Sequence, residues 1–210
     1  MAILRHMSGG GLPSEQGIAL LVTLLMLIAV LLLGASAARM AMLGEKAARA
    51  ERDRYVAMQA AEDALADAEK EINGSAASAP ARAALLAAGN GLGFLPGCGV
   101  GADNPALGLC AHAGGDAAAW ETVDIGDDGA ASRSVPFGRF TGAAMETGQG
   151  FLPFRRPRYI IERMPYHPPG EDAGGAHYLY RVTAIGFGAR ESTEVVLQAS
   201  FRQADAGGTP

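Results

Sequence analysis

The residues of this chain whose types and spacing could do chemistry lie between Cys98 and His177. Cys98 and Cys110 are its only cysteines, and both lie in a glycine-rich stretch. In an oxidising compartment an even pair in a loop reads as a disulfide. A closed loop of this size would stabilise the fold by about 3 kcal/mol in the chain-entropy picture. Zinc is the rival reading, because His112 follows Cys110 closely. A closed zinc site needs four ligands, so His167 and His177 would have to converge on the same point. Glu121, Asp124, Asp127 and Asp128 gather near Gly126 and Gly129. A solvated loop accounts for them, with calcium as the alternative, since calcium takes clustered oxygens. Arg155, Arg156 and Arg158 stand beside Phe154 and Tyr159. A charged strand edge explains that run. Contact with single-stranded DNA is the sharper reading, because aromatic rings stack on bases while arginines meet phosphates. The run Gly97-Cys98-Gly99-Val100-Gly101 is followed by neither Lys-Ser nor a helix opening, so it does not read as a phosphate cradle. No nucleophile elbow and no paired-histidine zinc motif occurs. The chain therefore does not read as an enzyme, and no cofactor is expected.

The elements that must position these residues divide the chain unevenly. It has 210 residues, 49% of them hydrophobic and 19% charged, with a formal net charge of -5. That charge gives no general attraction to nucleic acid or anionic lipid. Residues 18–38 carry no charge, and only Thr23 and Ser36 among them are polar. About 20 helical residues span the hydrocarbon core of a bilayer. Nothing breaks the helix after Arg39, since residues 39–72 contain no proline and a single glycine, Gly44. Tyr55, Met58, Ala61, Leu65, Ala68 and Ile72 recur at steps of three and four, which draws an apolar stripe along one face. Asn73-Gly74 is a stop signal. One helix is therefore expected from about Ile18 to Ile72. Ala81 to Ala88 reads as a short helix, and Gly89 to Gly115 as a loop. Arg158 to Glu162, Tyr178 to Phe187 and Thr193 to Phe201 read as strands. A hairpin connection falls at Gly186, Gly188 and Arg190-Glu191-Ser192, and Phe137 to Thr141 reads as a fourth strand. The expected fold is α+β: a long N-terminal helix, part transmembrane and part amphipathic, packed on an antiparallel sheet. The expected division is a leader at 1–17, a membrane span at 18–38, an amphipathic helix at 39–72, a globular domain at 73–203 and a disordered tail at 204–210.

Three readings compete for the N-terminal block. Ala35-Ser36-Ala37 fits a signal-peptidase cut, with Arg5 as the basic start. Against it, the apolar stretch exceeds the roughly 7–15 residues of a signal-peptide core, and the helical pattern runs straight through the cut. A single-pass anchor is the second reading. In the third, Gly17 followed at once by the apolar run resembles the cleavage site of type IV prepilins. The resemblance extends over Leu43-Gly44-Glu45-Lys46, Arg52-Asp53-Arg54 and Gln59-Ala60-Ala61-Glu62-Asp63-Ala64-Leu65. It continues over Gly108-Leu109-Cys110, Pro157-Arg158-Tyr159-Ile160-Ile161-Glu162, Tyr180-Arg181-Val182-Thr183-Ala184 and Val195-Val196-Leu197-Gln198. These segments resemble the PilX group of minor pilins.

The resemblance implies cleavage after Gly17 by a prepilin peptidase and N-methylation of Ile18. It implies an inner-membrane subunit with its C-terminal domain in the periplasm, later built into a pilus fibre. Partners would be other minor pilins and the major pilin, met through the helix at Val22, Leu25 and Ile28. Most major pilins carry a glutamate where this chain has Val22. Without that carboxylate, the subunit suits priming or capping a fibre more than repeating along its shaft. A pseudopilin of a type II secretion system shares the leader and helix, and a pilus-displayed adhesin or DNA-binding module is the other alternative. The charge distribution opposes the implied topology. Arg5 precedes the span, whereas Arg39, Lys46, Arg49, Arg52 and Arg54 follow it, which by the positive-inside bias would keep the C-terminal side in the cytoplasm.

Overall fold

Alanine, leucine and other strong helix formers fill the N-terminal third, and the chain there forms one helix, α1 (Gln16–Ile72). The computed structural model describes residues 16–74, 79–88, 90–112, 114, 117–166 and 177–202. The expected leader, apart from its last two residues, and the expected tail lie outside the described residues, as does His167. The chain divides into two units, one ending at Arg49 and the other beginning at Ala50.

In the first unit every described side chain from Gly17 onward is exposed. Thr23 and Ser36 return their hydroxyls to the carbonyls of Leu20 and Leu32, at 2.9 Å and 2.8 Å, so neither leaves a polar group unpaired on the apolar surface. Among the described residues, α1 is the one helix long and apolar enough to cross a membrane.

The second unit contains the rest of α1, then α2 (Pro80–Ala87), β1 (Leu109–Ala111), α3 (Ala119–Thr122), β2 (Val135–Pro136), β3 (Arg158–Tyr166), β4 (His177–Phe187) and β5 (Glu194–Phe201). Helix α1 stops where expected, with Asn73 still donating to Glu69 O and Gly74 at φ +84°. The sheet runs β1-β3-β4-β5, with β2 also paired to β3. Strands β3, β4 and β5 are antiparallel, with Ile161 opposite Val182 and Ala184 opposite Leu197. Strand β1 adds in parallel, Leu109 opposite Ile161, so the α+β fold carries a mixed sheet. That strand lies inside the stretch expected to be loop. The expected strand at Phe137 to Thr141 is instead a turn, where Arg139 donates to Pro136 O and Gly142 to Gly138 O. The β4–β5 hairpin closes as expected, with Gly188 N on Thr193 O at 2.8 Å.

Both sheet faces are covered at the centre of the sheet, whereas every second residue of β5 is exposed. Tyr159, Ile161, Tyr180, Val182 and Ala184 alternate along β3 and β4 and pack with Ala64, Ala68 and Ile72 of α1. Ile160, Ile185 and Phe187 face the other way and pack with Cys98, Cys110, Val123 and Ile125. The buried stripe of α1 is narrower in residue size than the sequence suggested. Ala57, Ala60, Ala61, Ala64 and Ala68 fill it, whereas Tyr55 is exposed and Leu65 only half-buried. The reason is a close approach of backbones. A Cβ at Gly186 of β4 would stand 2.1 Å from Ala57 O and 2.4 Å from Ala61 N, so helix and strand meet where only small residues fit.

Candidate functional site

The surface that could act on a partner is the first unit of α1. Ile18 is 71% exposed, and Val22, Leu25 and Ile28 are exposed with it. Gly17, the last residue of the expected leader, lies within the helix with no atom close enough to crowd a side chain there. A ring of exposed aliphatic side chains in water is unfavourable by roughly 25 cal/mol per Å², so covering this segment with an apolar partner would be favourable.

Its continuation in the second unit is held by carboxylates on the sheet-facing side. Asp53 accepts from Ala189 N at 2.6 Å, Arg190 N at 3.2 Å and Arg190 Nε at 3.1 Å, and from the Thr193 hydroxyl. Burial pushes its carboxyl up, but those donors together with the Arg190 charge outweigh it and hold the group below its ordinary range. Asp67 accepts from Gly138 N at 2.8 Å and from the hydroxyls of Thr141 and Tyr159. Glu71 accepts from Arg82 Nε at 2.9 Å and from the Tyr159 hydroxyl. Burial raises the Glu71 carboxyl, against the Arg82 charge and the Tyr159 bond that lower it. Burial, with Glu71 and Asp67 alongside, also keeps the Tyr159 phenol protonated well beyond its ordinary range. Arg82 reaches on to Pro105 O at 2.9 Å and Leu107 O at 2.7 Å and lies 4.4 Å above the Phe140 ring. One guanidinium thus ties α2, the 105–107 segment and α1 together. Removing one partner of such a pair costs about 3–5 kcal/mol, since the other charge stays buried.

This set was not among the residues expected from the sequence. Its signal was available: Asp53, Asp67 and Glu71 share the helical period of Ala57, Ala60, Ala64 and Ala68, and acids on an apolar face need partners.

The other candidates separate. Cys98 and Cys110 form a disulfide with Cα atoms 4.0 Å apart, which leaves no thiolate for a metal. His112 Nδ1 lies 2.9 Å from Glu162 Oε1, and Glu162 also pairs with Arg181 at 2.6 Å. His177 falls in β4. In the acidic loop, Asp124 and Asp127 accept from the amides of Gly126 and Gly129 two residues on, and Asp128 pairs with Arg155 at 3.3 Å; Glu121 lies on α3. Among the described residues no group of three or more such side chains is placed to hold a metal ion. The basic-aromatic run is not one surface either. Arg156 and Phe154 are exposed, whereas Arg158 and Tyr159 are buried, and Arg155 stacks 3.9 Å above the Phe187 ring.

A long helix, apolar and bare at one end and fastened along an α+β domain at the other, defines a pilin-like subunit. The PilX N-terminal model matches residues 16–66, and the model for the C-terminal part of the type IV pilus assembly protein PilX matches residues 106–203. The chain belongs to the PilX family. It takes part in type IV pilus assembly as a minor pilin. No curated protein and no solved structure matches it significantly.

Proposed function

We propose that this minor pilin primes or caps the fibre through α1 and performs no catalysis. Residues 1–17 act as a leader that the prepilin peptidase removes after Gly17, leaving an N-methylated Ile18. Residues 18–38 then hold the subunit in the inner membrane, with 39–72 and 73–203 in the periplasm. The disulfide between Cys98 and Cys110 fits that oxidising compartment. During assembly the apolar helix passes from lipid into a bundle with other pilins, contacting them at Val22, Leu25 and Ile28.

The observation that carries this reading is the exposed, uncharged surface of the helix at Val22, where 45% of the residue is accessible. A lone charge in lipid costs several kcal/mol unless it is paired. A subunit that presents valine there offers no carboxylate to a neighbour's N-terminal amine, although its own amine remains available. That asymmetry suits an end of the fibre.

Intact mass of the membrane-extracted protein tests the processing. The expected chain begins at Ile18 and carries one methyl group. A mature chain beginning near Ala38 would instead mean signal-peptidase cleavage and a soluble product, and the assembly role would fall with it.

A further inference from the structure

We propose that the cleft between the 102–107 segment and the 128–139 segment binds a carboxylate through Arg139 and Arg158. The cleft has a volume of about 350 Å³ and is walled by Leu107 and Pro136 as well as the two arginines. That volume is at the small end of the roughly 300–1,000 Å³ of ordinary ligand sites.

Arg158 is 9% exposed, yet none of its hydrogen bonds goes to a carboxylate. Its Nε donates to Ser134 Oγ at 2.7 Å, and its Nη2 donates to Ser132 Oγ at 2.8 Å and Ser134 O at 2.8 Å. Those acceptors are fixed in turn. The Ser134 hydroxyl donates to Ile125 O at 2.7 Å and the Ser132 hydroxyl to Asp127 O at 2.6 Å. The guanidinium is thereby held rigid, and its Nη1 has no hydrogen-bond partner among the described residues.

Arg139 is arranged in the same way. Its Nε and Nη2 are taken up by Ala102 O at 3.0 Å and 2.6 Å and by Asp103 at 3.1 Å, which leaves its Nη1 without a partner among the described residues. Two guanidiniums line one cleft, and each, fixed in place with its Nη1 unpaired among the described residues, offers one donor nitrogen to an oxygen of the same anion.

The surrounding charges select the kind of anion. Asp103 is engaged by Arg139, and Asp128, which also lines the cleft, is engaged by Arg155 at 3.3 Å. Asp127 and Asp128 bear on Arg158 from a distance and Arg155 opposes them. Those acids at the margin repel a dianion more than a monoanion, so the site favours a carboxylate over a phosphate. The carboxylate could come from a free small acid or from the C-terminus of a peptide, because the chemistry recognised is the same.

The test is a titration of the full-length, detergent-solubilised protein with arginine side chains labelled for NMR. The probes are acetate, acetyl-glycyl-glycine, inorganic phosphate, and sodium chloride at matched ionic strength. Acetate is expected to move the Arg139 and Arg158 guanidinium signals to saturation, and chloride is not. Arg139→Gln is expected to weaken acetate binding at least about fivefold, corresponding to about 1 kcal/mol, with an unchanged melting temperature because the side chain is 40% exposed. Arg139→Lys, which keeps the charge and loses the held Nη1 donor, is expected to fall between. Binding of acetyl-glycyl-glycine well above that of acetate would identify a peptide terminus as the source, and equal binding a free acid. Unsaturated shifts that chloride reproduces, or wild-type binding by Arg139→Gln, would overturn the site. Phosphate binding more tightly than acetate would overturn the choice of a carboxylate.

Discussion

At Gly186 a single methyl group decides whether α1 and β4 can touch. Its carbon would stand 2.1 Å from Ala57 O and 2.4 Å from Ala61 N, and both are backbone atoms of a helix that cannot yield by rotating a side chain. Overpacking of a core costs typically about 1–3 kcal/mol, and Gly186→Ala is expected at or above the top of that range. Gly44→Ala is the control. Nothing lies within 4 Å of its added carbon, and alanine in a helix is better than glycine by about 0.5–1 kcal/mol. Gly186→Ala should therefore lower the thermal midpoint of the folded domain, whereas Gly44→Ala, in the unit with no buried residue among its described side chains, should leave it unchanged; a neutral Gly186→Ala would mean that helix and strand are farther apart. The same contact explains why Leu65, a member of the expected stripe, is only half-buried. Periodicity identifies a face but not the distance to what covers it, so the bulky residue looks central. The alanines carry the contact, and Leu65 packs half-buried at the margin of the core.

Between α1 and the β4–β5 turn, the joint is a carboxylate rather than an apolar surface. Asp53 accepts backbone and side-chain donors from Ala189, Arg190 and Thr193, and its carboxyl is held below the ordinary range. A depressed folded-state value contributes stability that is fully present above the unfolded value of about 4. That stability is lost as pH falls through the folded value. Glu71 runs the other way, since its raised value means that acid relieves a cost. Comparing wild type with Asp53→Asn at each pH removes the Glu71 contribution, which both share. The melting temperature of Asp53→Asn should lie clearly below wild type at pH 7, and the gap should narrow as pH falls below about 4. A gap independent of pH would show that shape and not charge makes the joint. Elements were legible from sequence where a period repeats over several residues, as in α1, β3, β4 and β5. Strand β1 was not, because Leu109–Ala111 is too short to display alternation, and its partner Ile161 is far away in sequence. The turn at Phe137 to Thr141 looked like a strand because its rings are apolar. Phe137 and Phe140 are buried from a turn whose Gly138 amide is bound by Asp67, a long-range bond with no local signature.

Over the whole molecule, the buried side chains of α1 among the described residues all belong to the unit that begins at Ala50. They are Asp53, Ala57, Ala60, Ala61, Ala64, Asp67, Ala68, Glu71 and Ile72. The unit that ends at Arg49 has no buried residue among its described side chains. A chain starting at Ala50 should therefore be soluble without detergent and unfold in one cooperative transition. A chain starting at Glu62 removes Asp53, Ala57, Ala60 and Ala61 together, and with them the Gly186 contact. If those contacts together are worth about 3 kcal/mol, and a domain of this size loses about 2–4 °C per kcal/mol, the midpoint should fall by roughly 10 °C. Calorimetry of the two truncated chains makes the comparison. Equal midpoints would mean that the first turns of the unit contribute nothing to its fold. Aggregation of the chain starting at Ala50, with no cooperative transition, would mean that the apolar N-terminal segment is needed for folding and not only for assembly.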